Sequence, residues 1–326
     1  MNQRIKKIFI LFILTGFSLQ GGWKNGKYSG AFLMNPVGSR AASMGGAFTS
    51  VANDVSTVYW NPAGLAFNTS AQITGMHSER FSGMVNLDFI AAALNIREKT
   101  AIGIGYIRLG VDGIPQTRLI NANQTLSAEN RPYIERYLED SESAFFFSYG
   151  SSLNSRIYWG TSIKILYKSM GDYQAWGLGF DGGLVYLPTQ KLRLGMMLSD
   201  ATTTMLAWQS GVKEYIMPQL KLGCSYVFSY EQLNVMPAFD IATLFYRDPD
   251  ASVHLGNWSP HFHAGVELDY MRRVALRVGS FRGQLTVGAG LRIAFIWADY
   301  CFSRHDGLGD SHLISLTFRK KRTDRP

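Results

Sequence analysis

Residues 174–186 read QAWGLGFDGGLVY, and this stretch decides the fold. Bulky apolar side chains such as Trp176 and Leu178 fall on one face, whereas small or charged residues such as Asp181 and Gly183 fall on the other. A period of two indicates a β-strand whose two faces meet different surroundings. In a transmembrane barrel the bulky face would contact lipid and the small face would line the lumen.

The same alternation recurs from about residue 71 to the end of the chain. The predicted strands are 71–79, 84–95, 100–110, 142–153, 156–169, 174–187, 192–199, 217–228, 232–245, 259–270, 273–281, 284–292, 294–304 and 311–319. Their number is even, as expected of a bacterial outer-membrane barrel. The fold class is therefore all-β, a transmembrane antiparallel β-barrel of about 14 strands.

The links between these strands differ in length on the two rims. Every even-numbered link is short, whereas the length is concentrated in odd-numbered links at 111–141, 200–216 and 246–258. Short turns on the periplasmic rim and long loops on the outside are typical of outer-membrane barrels. Within 111–141, Pro132 could begin an amphipathic helix over the mouth, and a flexible loop is the alternative.

The composition is also that of a membrane barrel. The chain is 46% hydrophobic, 13% aromatic and only 17% charged, against about 25% charged for a typical soluble domain. After residue 22 no stretch approaches the roughly 20 apolar residues of a transmembrane helix. The net charge of +8 comes from the two ends, which leaves 24 basic and 23 acidic residues for the body. This near-neutral body argues against a nucleic-acid partner.

The N-terminus has the order of a secretory signal peptide. Basic residues in 1–7 precede an apolar run at 8–17 and small or polar residues at 18–22. We therefore expect export through a cleaved signal peptide and a location in the bacterial outer membrane. The expected division is a signal peptide at 1–22, an N-terminal hatch or plug segment at 23–70, the barrel at 71–319 and a basic C-terminal tail at 320–326.

Several polar residues are predicted to face the lumen. By strand phase these are Lys164, Lys168, Asp181, His261, His263, Glu267, Arg277 and Arg292. Because their charges are mixed in sign, they favour a structural ion-pair network bracing plug and wall over a selectivity filter. His-x-His at 261–263 is a weak metal signal, so no metal or other cofactor is expected.

No catalytic motif stands out. Ser303, His305 and Asp306 are close in sequence, but they are better explained as a polar loop, and the chain is not expected to be an enzyme. The two cysteines lie on separate strands with opposite phases, Cys224 toward lipid and Cys301 toward the lumen. They are therefore predicted to be free thiols.

The segment before the barrel reads differently from the strands. Its glycines permit close backbone packing, residues 55–60 could form a short helix, and Asn61-Pro62 favours a turn. Low charge and small residues favour a plug inside the lumen over a periplasmic extension. The candidate plug residues are Gly38, Arg40, Gly45, Gly46, Asp54, Asn61, Pro62, Ala63 and Gly64.

The runs GSRAASMGGAF at 38–48 and NDVSTVYWNPAGLA at 53–66 resemble the N-terminal signature of the PorV/PorQ family, part of the FadL-like superfamily of outer-membrane barrels. Further similar stretches are 179–186, 263–267, 276–279, 288–292 and 299–300. The resemblance implies a 14-stranded barrel in which the Asn-Pro-Ala turn belongs to a hatch that blocks the lumen.

The resemblance leaves three functional hypotheses. A PorV-like protein would bind secreted proteins with C-terminal sorting domains, or attachment-complex subunits, in a type IX secretion-like pathway. A FadL-like protein would be a passive transporter of hydrophobic compounds such as long-chain fatty acids. The third alternative is a purely structural barrel in contact with outer-membrane lipid. Apolar residues between strands, Met205, Leu206 and Trp208, are candidate extracellular contacts for cargo or ligand.

Overall fold

In the computed structural model the chain forms a closed antiparallel barrel with a short segment packed inside it. The structure describes residues 29–320, except 69, 247, 249, 250, 252, 255, 257 and 306. The predicted signal peptide at 1–22, the start of the predicted plug segment and residues 321–326 of the basic tail lie outside the described residues.

Fourteen strands make up the wall. They are β1 (Gln72–Arg80), β2 (Val85–Arg97), β3 (Thr100–Leu119), β4 (Pro132–Ser152), β5 (Ile157–Met170), β6 (Tyr173–Tyr186), β7 (Leu192–Ser199 and Thr204–Trp208), β8 (Lys213–Ile216, Gln219–Tyr226 and Phe228–Tyr230), β9 (Leu233–Leu244), β10 (Ser259–Tyr270), β11 (Val274–Phe281), β12 (Gln284–Ile293), β13 (Ile296–His305) and β14 (Gly309–Arg319). Each strand pairs with the next, and β14 pairs back onto β1. The predicted all-β barrel of 14 strands is confirmed.

The two faces of the wall divide as the alternation predicts. On β6, Trp176 and Leu178 are 54% and 51% exposed on the outer face, whereas Asp181 on the inner face is 3% exposed. Cys224 is exposed, Cys301 is buried and both are free thiols, as predicted.

Among the described residues, no helix is both long enough and apolar enough to cross a bilayer.

The link at 111–141 contains neither the helix nor the flexible loop that the sequence suggested. Instead β3 and β4 continue as a two-stranded hairpin, and only residues 120–131 connect them. Residues 111–119 and 132–139 pair only with each other, because the pairing of β3 with β2 ends at Gly110 and the pairing of β4 with β5 ends at Asp140. Backbone hydrogen bonding across the hairpin overrides the helical spacing of its apolar residues. We call residues 111–140 the projecting hairpin.

The interior of the barrel is filled by residues 29–68, which we call the hatch. It contains a 3₁₀ turn (Ala31–Met34), two short helices, α1 (Ser39–Ser43) and α2 (Thr57–Trp60), and a second 3₁₀ turn (Pro62–Phe67). Most of its side chains are buried. The hatch begins beside the extracellular end of β8, where the Ser29 hydroxyl donates to the Tyr215 carbonyl. It ends at the periplasmic rim and passes directly into β1.

Candidate functional site: the hatch and the cavity above it

Glycines on the inner wall allow the hatch backbone to lie directly on the strands. A Cβ placed on Gly195 would be 2.5 Å from the Thr49 carbonyl oxygen, and one placed on Gly150 would be 2.5 Å from the Pro62 carbonyl oxygen. Other wall glycines where an added Cβ would clash with the hatch are Gly103, Gly105, Gly160, Gly183, Gly265, Gly279 and Gly288. Real Cβ atoms do not approach this closely, so the fit depends on the missing side chains.

The hatch glycines have a related role. Gly38, Gly45 and Gly46 adopt positive φ angles of 79°, 65° and 73°, a region that favours glycine. Gly45 also lies against the backbone of Ser280 on β11, where a Cβ would have no room. Gly38 lets the chain turn before α1, and Gly45 and Gly46 let it turn tightly after α1 against the wall.

A buried charge cluster joins the hatch to the wall, centred on Arg40 of α1. The Arg40 guanidinium donates to both carboxylate oxygens of Glu267 on β10, each at 2.8 Å, and to Asp54 of the hatch at 3.1 Å. Glu267 also accepts from Arg277 at 2.6 Å, and Arg277 donates to Asp299 at 2.8 Å. Burial alone would lower the pKa of Arg40, but the neighbouring carboxylates raise it above its ordinary value. The cluster is therefore a permanent ionic connection between α1 and the wall.

Two further polar side chains hold the hatch. Asp240 of β9 accepts from the amides of Phe48 and Thr49 at 2.9 and 2.7 Å. Asn61 caps the second 3₁₀ turn by accepting from the Ala63 amide at 3.1 Å, and its own amide donates to the Thr49 carbonyl at 2.8 Å. Sequence reasoning selected the Asn61-Pro62-Ala63-Gly64 motif but missed Asp240. Strand alternation could have found Asp240, because Phe239 and Ile241 flank it on the opposite face.

The predicted lumenal residues do not form one continuous network. Lys168 pairs with Glu142, and Arg292 pairs with Asp269 at 2.6 Å, both within the wall. His261 pairs with Asp248 at 2.9 Å, and His263 donates to the Gly45 carbonyl at 2.9 Å. Of the predicted set, Glu267 and His263 contact the hatch through side-chain hydrogen bonds. The described residues contain no group of three or more His, Cys, Asp or Glu side chains that could hold a metal.

Of Ser303, His305 and Asp306, the structure describes the first two, and their contacts are on separate elements. Ser303 pairs with Ser311 in the ladder between β13 and β14. The His305 ring packs edge-on against Phe81, with centroids 5.8 Å apart. Asp306 lies outside the described residues.

The candidate extracellular contacts are not equivalent. Met205, Leu206 and Trp208 lie on the second part of β7 and not in a loop. Met205 is 40% exposed on the outer face, whereas Leu206 is 1% exposed and belongs to the interior. Leu206 was therefore wrongly predicted as a contact, because strand alternation turns it inward. Trp208 is half-buried, with its ring 5.9 Å from the Lys168 ammonium.

The hydrogen-bond ladder between β7 and β8 is interrupted part-way along the wall. Pairing stops at Ser199 and Gln219 and resumes at Thr204 and Ile216. Residues 200–203 bulge out of β7, and Asp200 and Thr203 have positive φ angles of 54° and 59°. We call residues 200–203 and 217–218 the wall break.

Three buried charges stabilise the wall break from inside. Lys164 of β5 lies 2.8 Å from Asp181 and 2.9 Å from Asp200. The Asp200 amide donates to Asp181 at 2.8 Å, and its carboxylate accepts from Thr204 at 2.6 Å. The irregular backbone at 200–203 is thus held by the side chains of neighbouring strands.

A cavity lies between the wall break and the extracellular side of the hatch. Its volume is about 30 Å³, and it is open to solvent. Its lining is Gly30, Leu33, Met34 and Tyr59 of the hatch with Phe146, Lys164, Asp181, Ser199, Asp200, Ile216, Met217, Gln219, Lys221 and Leu244 of the wall. Apolar side chains thus adjoin a few converging polar groups in this cavity.

This architecture defines a fold class, the closed 14-stranded antiparallel barrel with a hatch in its lumen. The model of an uncharacterised protein family, UPF0164, matches residues 18–106, which cover most of the hatch and the first strands. A search of curated protein sequences finds no match to the chain.

Solved structures share the fold at low sequence identity. The monoaromatic hydrocarbon channel CymD is 14% identical with a TM-score of 0.59, and the match covers 88% of this chain and 97% of that one. The toluene transporter TodX of Pseudomonas putida is 12% identical with a TM-score of 0.53, covering 82% and 95%. A FadL homologue of Pseudomonas aeruginosa is 14% identical with a TM-score of 0.52, covering 87% and 98%. The chain therefore has the fold of FadL-family outer-membrane channels.

Proposed function

We propose that this protein is an outer-membrane channel for hydrophobic small molecules, exported through a signal peptide and acting without catalysis. The observation that carries the proposal is the position of the cavity, which touches the extracellular face of the hatch on one side and the wall break on the other. Structurally similar proteins include a monoaromatic hydrocarbon channel and a toluene transporter, which supports the same ligand class.

The tight fit of the hatch suggests how a ligand would leave the cavity. The straight route to the periplasm is filled by hatch backbone that lies on wall glycines, and the Arg40 cluster fixes α1 in place. The wall break is the nearest place where hydrogen bonding between strands is absent. An apolar ligand gains free energy on moving from the cavity into the hydrocarbon region of the membrane. We therefore propose sideways exit through the wall break.

Replacing Ala201 by tryptophan tests this route. Ala201 is an exposed residue of the wall break, so a large ring there would obstruct the exit. Uptake of radiolabelled toluene or oleate by cells expressing the variant should fall by roughly tenfold or more, as expected when about 1.4 kcal/mol or more is added to the rate-limiting barrier.

The matched control is Ala289→Trp, which places the same ring on the outer face of β12, away from the wall break. Uptake should stay at the wild-type level in this variant. Equal uptake by Ala201→Trp, Ala289→Trp and the unmodified protein would exclude the wall break as the exit. Uptake no greater than that of cells without the protein would exclude the transport proposal itself.

The second candidate, PorV-like binding of secreted proteins in a type IX pathway, is favoured by the projecting hairpin. Its residues are exposed on both faces, with Tyr137 65%, Ile134 49% and Tyr133 46% exposed. Exposed apolar and aromatic groups of this kind mark protein contact sites. An isolated two-stranded hairpin is also marginal in water and gains stability from a partner.

Shortening the projecting hairpin separates the two candidates. Gly110 and Ser141 are directly opposite in the ladder, so an Asn-Gly turn can replace the residues between them. We expect the shortened barrel to fold and to retain uptake, because the hairpin extension pairs with no other strand. Pull-down of exported proteins with C-terminal sorting domains by the wild type and not by the shortened form would instead support cargo binding.

A further inference from the structure

The periplasmic rim carries more positive charge than its own side chains neutralise. Its short turns, the strand ends beside them and the end of β14 hold seven exposed basic residues against two exposed acidic ones, Glu98 and Glu231. The basic residues are Arg97, Lys99, Arg156, Lys191, Arg272, Arg273 and Lys320. Within the described ranges of the chain, none of the seven has an ion pair or a side-chain hydrogen bond. The rim therefore presents free positive charge.

The extracellular side of the same barrel is different, because many of its basic residues have an acidic neighbour. The ion pairs there are Arg108 with Asp112, Arg118 with Glu135, Arg136 with Asp172, Lys168 with Glu142, and Arg304 with Asp310. These charges are neutralised within the protein. The free positive charge is thus a feature of the periplasmic rim and not of the barrel as a whole.

The basic residues are spread around the circumference of the periplasmic rim. In the described structure the rim has seven positions, six turns and the end of β14, and five of these positions carry at least one of the bases. A docked protein would contact one side of the rim, whereas lipid head groups surround a barrel on every side. The spread of the charge therefore favours a lipid partner over a soluble acidic protein.

Exposed apolar side chains accompany the bases. Ile96, Leu153, Met271 and Phe295 lie in or beside the periplasmic turns and are between 45% and 65% exposed. Water is an unfavourable surrounding for such groups. The head-group layer of a bilayer suits both kinds of residue, because apolar side chains reach its acyl side while cations reach its phosphates. The composition of the rim is thus that of a segment lying within a head-group layer.

The bases are most concentrated where the last strands of the barrel end. Arg272 and Arg273 lie in the turn between β10 and β11, and Lys320 directly follows β14. The Arg292 amide of β12 donates to the Arg273 carbonyl at 2.8 Å, and β12, β13 and β14 pair side by side. These bases therefore lie along one continuous stretch of the rim. We call Arg272, Arg273 and Lys320 the basic patch.

We propose that the basic patch binds the head groups of anionic phospholipids in the periplasmic leaflet of the outer membrane. Each such head group carries a phosphate, which a guanidinium binds through two parallel hydrogen bonds and an ammonium binds as a point charge. Bound lipid would fix the depth of the rim in the leaflet. This inference rests on the outer-membrane location in the proposed function, and it does not depend on which compound is transported.

Native mass spectrometry tests this assignment on the protein purified in a nonionic detergent. The two probes are dioleoyl phosphatidylglycerol and dioleoyl phosphatidylethanolamine at equal concentration, because they share acyl chains and differ in net charge. The wild type should retain the anionic lipid in roughly tenfold excess, as expected for several bases near a charged lipid. Replacing Arg272, Arg273 and Lys320 together by glutamine should bring the ratio close to one.

The matched control replaces Arg118, Arg136 and Arg304 by glutamine, which removes the same number of charges from the extracellular side. It should keep the wild-type ratio. The double variant Arg272→Lys and Arg273→Lys keeps the positive charge and should also retain the preference. Circular dichroism checks that each variant keeps its β-sheet content, as expected when the replaced side chains of the basic patch contact no other residue through a polar bond.

Equal retention of the two lipids by the wild type would overturn the proposal. A preference that survives loss of the basic patch and disappears in the extracellular control would also overturn it, by placing the anionic lipid on the other rim. A soluble acidic partner is tested with poly-glutamate immobilised on a resin. If loss of the basic patch abolishes capture on this resin and leaves the lipid ratio unchanged, the patch binds an acidic protein and not lipid. Failure of the uptake assay would leave the lipid measurement intact, since the measurement uses purified protein without a transported compound.

Discussion

Changing Glu267 to glutamine is expected to release α1 of the hatch from the barrel wall. The Glu267 carboxylate lies between the guanidinium groups of Arg40 and Arg277 and accepts hydrogen bonds from both. Without its charge, two buried cations share a site that has lost its central anion. Removing one partner of a buried ion pair costs about 3 kcal/mol or more.

Hydrogen exchange measured by mass spectrometry can locate this effect. Amides of residues 39–61 should exchange faster in Glu267→Gln, whereas amides of the wall strands should keep their protection. The control is Asp172→Asn, which makes the same chemical change in the exposed pair with Arg136 on the extracellular side. That pair is screened by water, so little change is expected. Unchanged protection of residues 39–61 in Glu267→Gln would mean that other contacts hold the hatch.

Replacing Gly183 by a β-branched residue is expected to have the second large effect, a displacement of part of the hatch. A Cβ there would lie 3.1 Å from Pro62 Cδ and would also meet the Asn61 side chain. The backbone of β6 cannot move outward to make room, because β6 is hydrogen-bonded to its neighbours on both sides. Gly183→Val should therefore displace the Asn61-Pro62 turn, with an overpacking cost of about 1–3 kcal/mol.

The neighbouring residue supplies the control. Gly182 faces outward, and a Cβ there would have no atom within 4 Å, so Gly182→Val should leave the hatch in place. Single-channel recording in planar bilayers distinguishes the two variants, since a displaced hatch opens a water-filled path and raises ion conductance. If Gly183→Val and Gly182→Val conduct alike, the contact at Gly183 does not seal the lumen.

Strand positions and faces could be predicted from the sequence because period-two alternation is a local property. The stretch 174–186 alone places Trp176 outside and Asp181 inside, and the structure confirms both. The hatch was also recognisable, because its glycines and the Asn61-Pro62 pair are unlike anything in the strands.

The details of the site depend on contacts between residues far apart in sequence. Arg40 and Glu267 are separated by most of the barrel, and nothing local to either one indicates that they meet. The wall break needs Asp200, Asp181 and Lys164 together, so the sequence of β7 alone suggested only a loop.

The glycine-lined wall also constrains how the protein is built. Residue 68 is followed almost at once by β1, and β1 closes the cylinder by pairing with β14. The hatch backbone contacts the wall backbone around the lumen, so no gap is left through which residues 29–68 could enter after the barrel has closed. We therefore expect the hatch to be enclosed as the first and last strands join, so that folding of the interior and closure of the barrel occur in the same step.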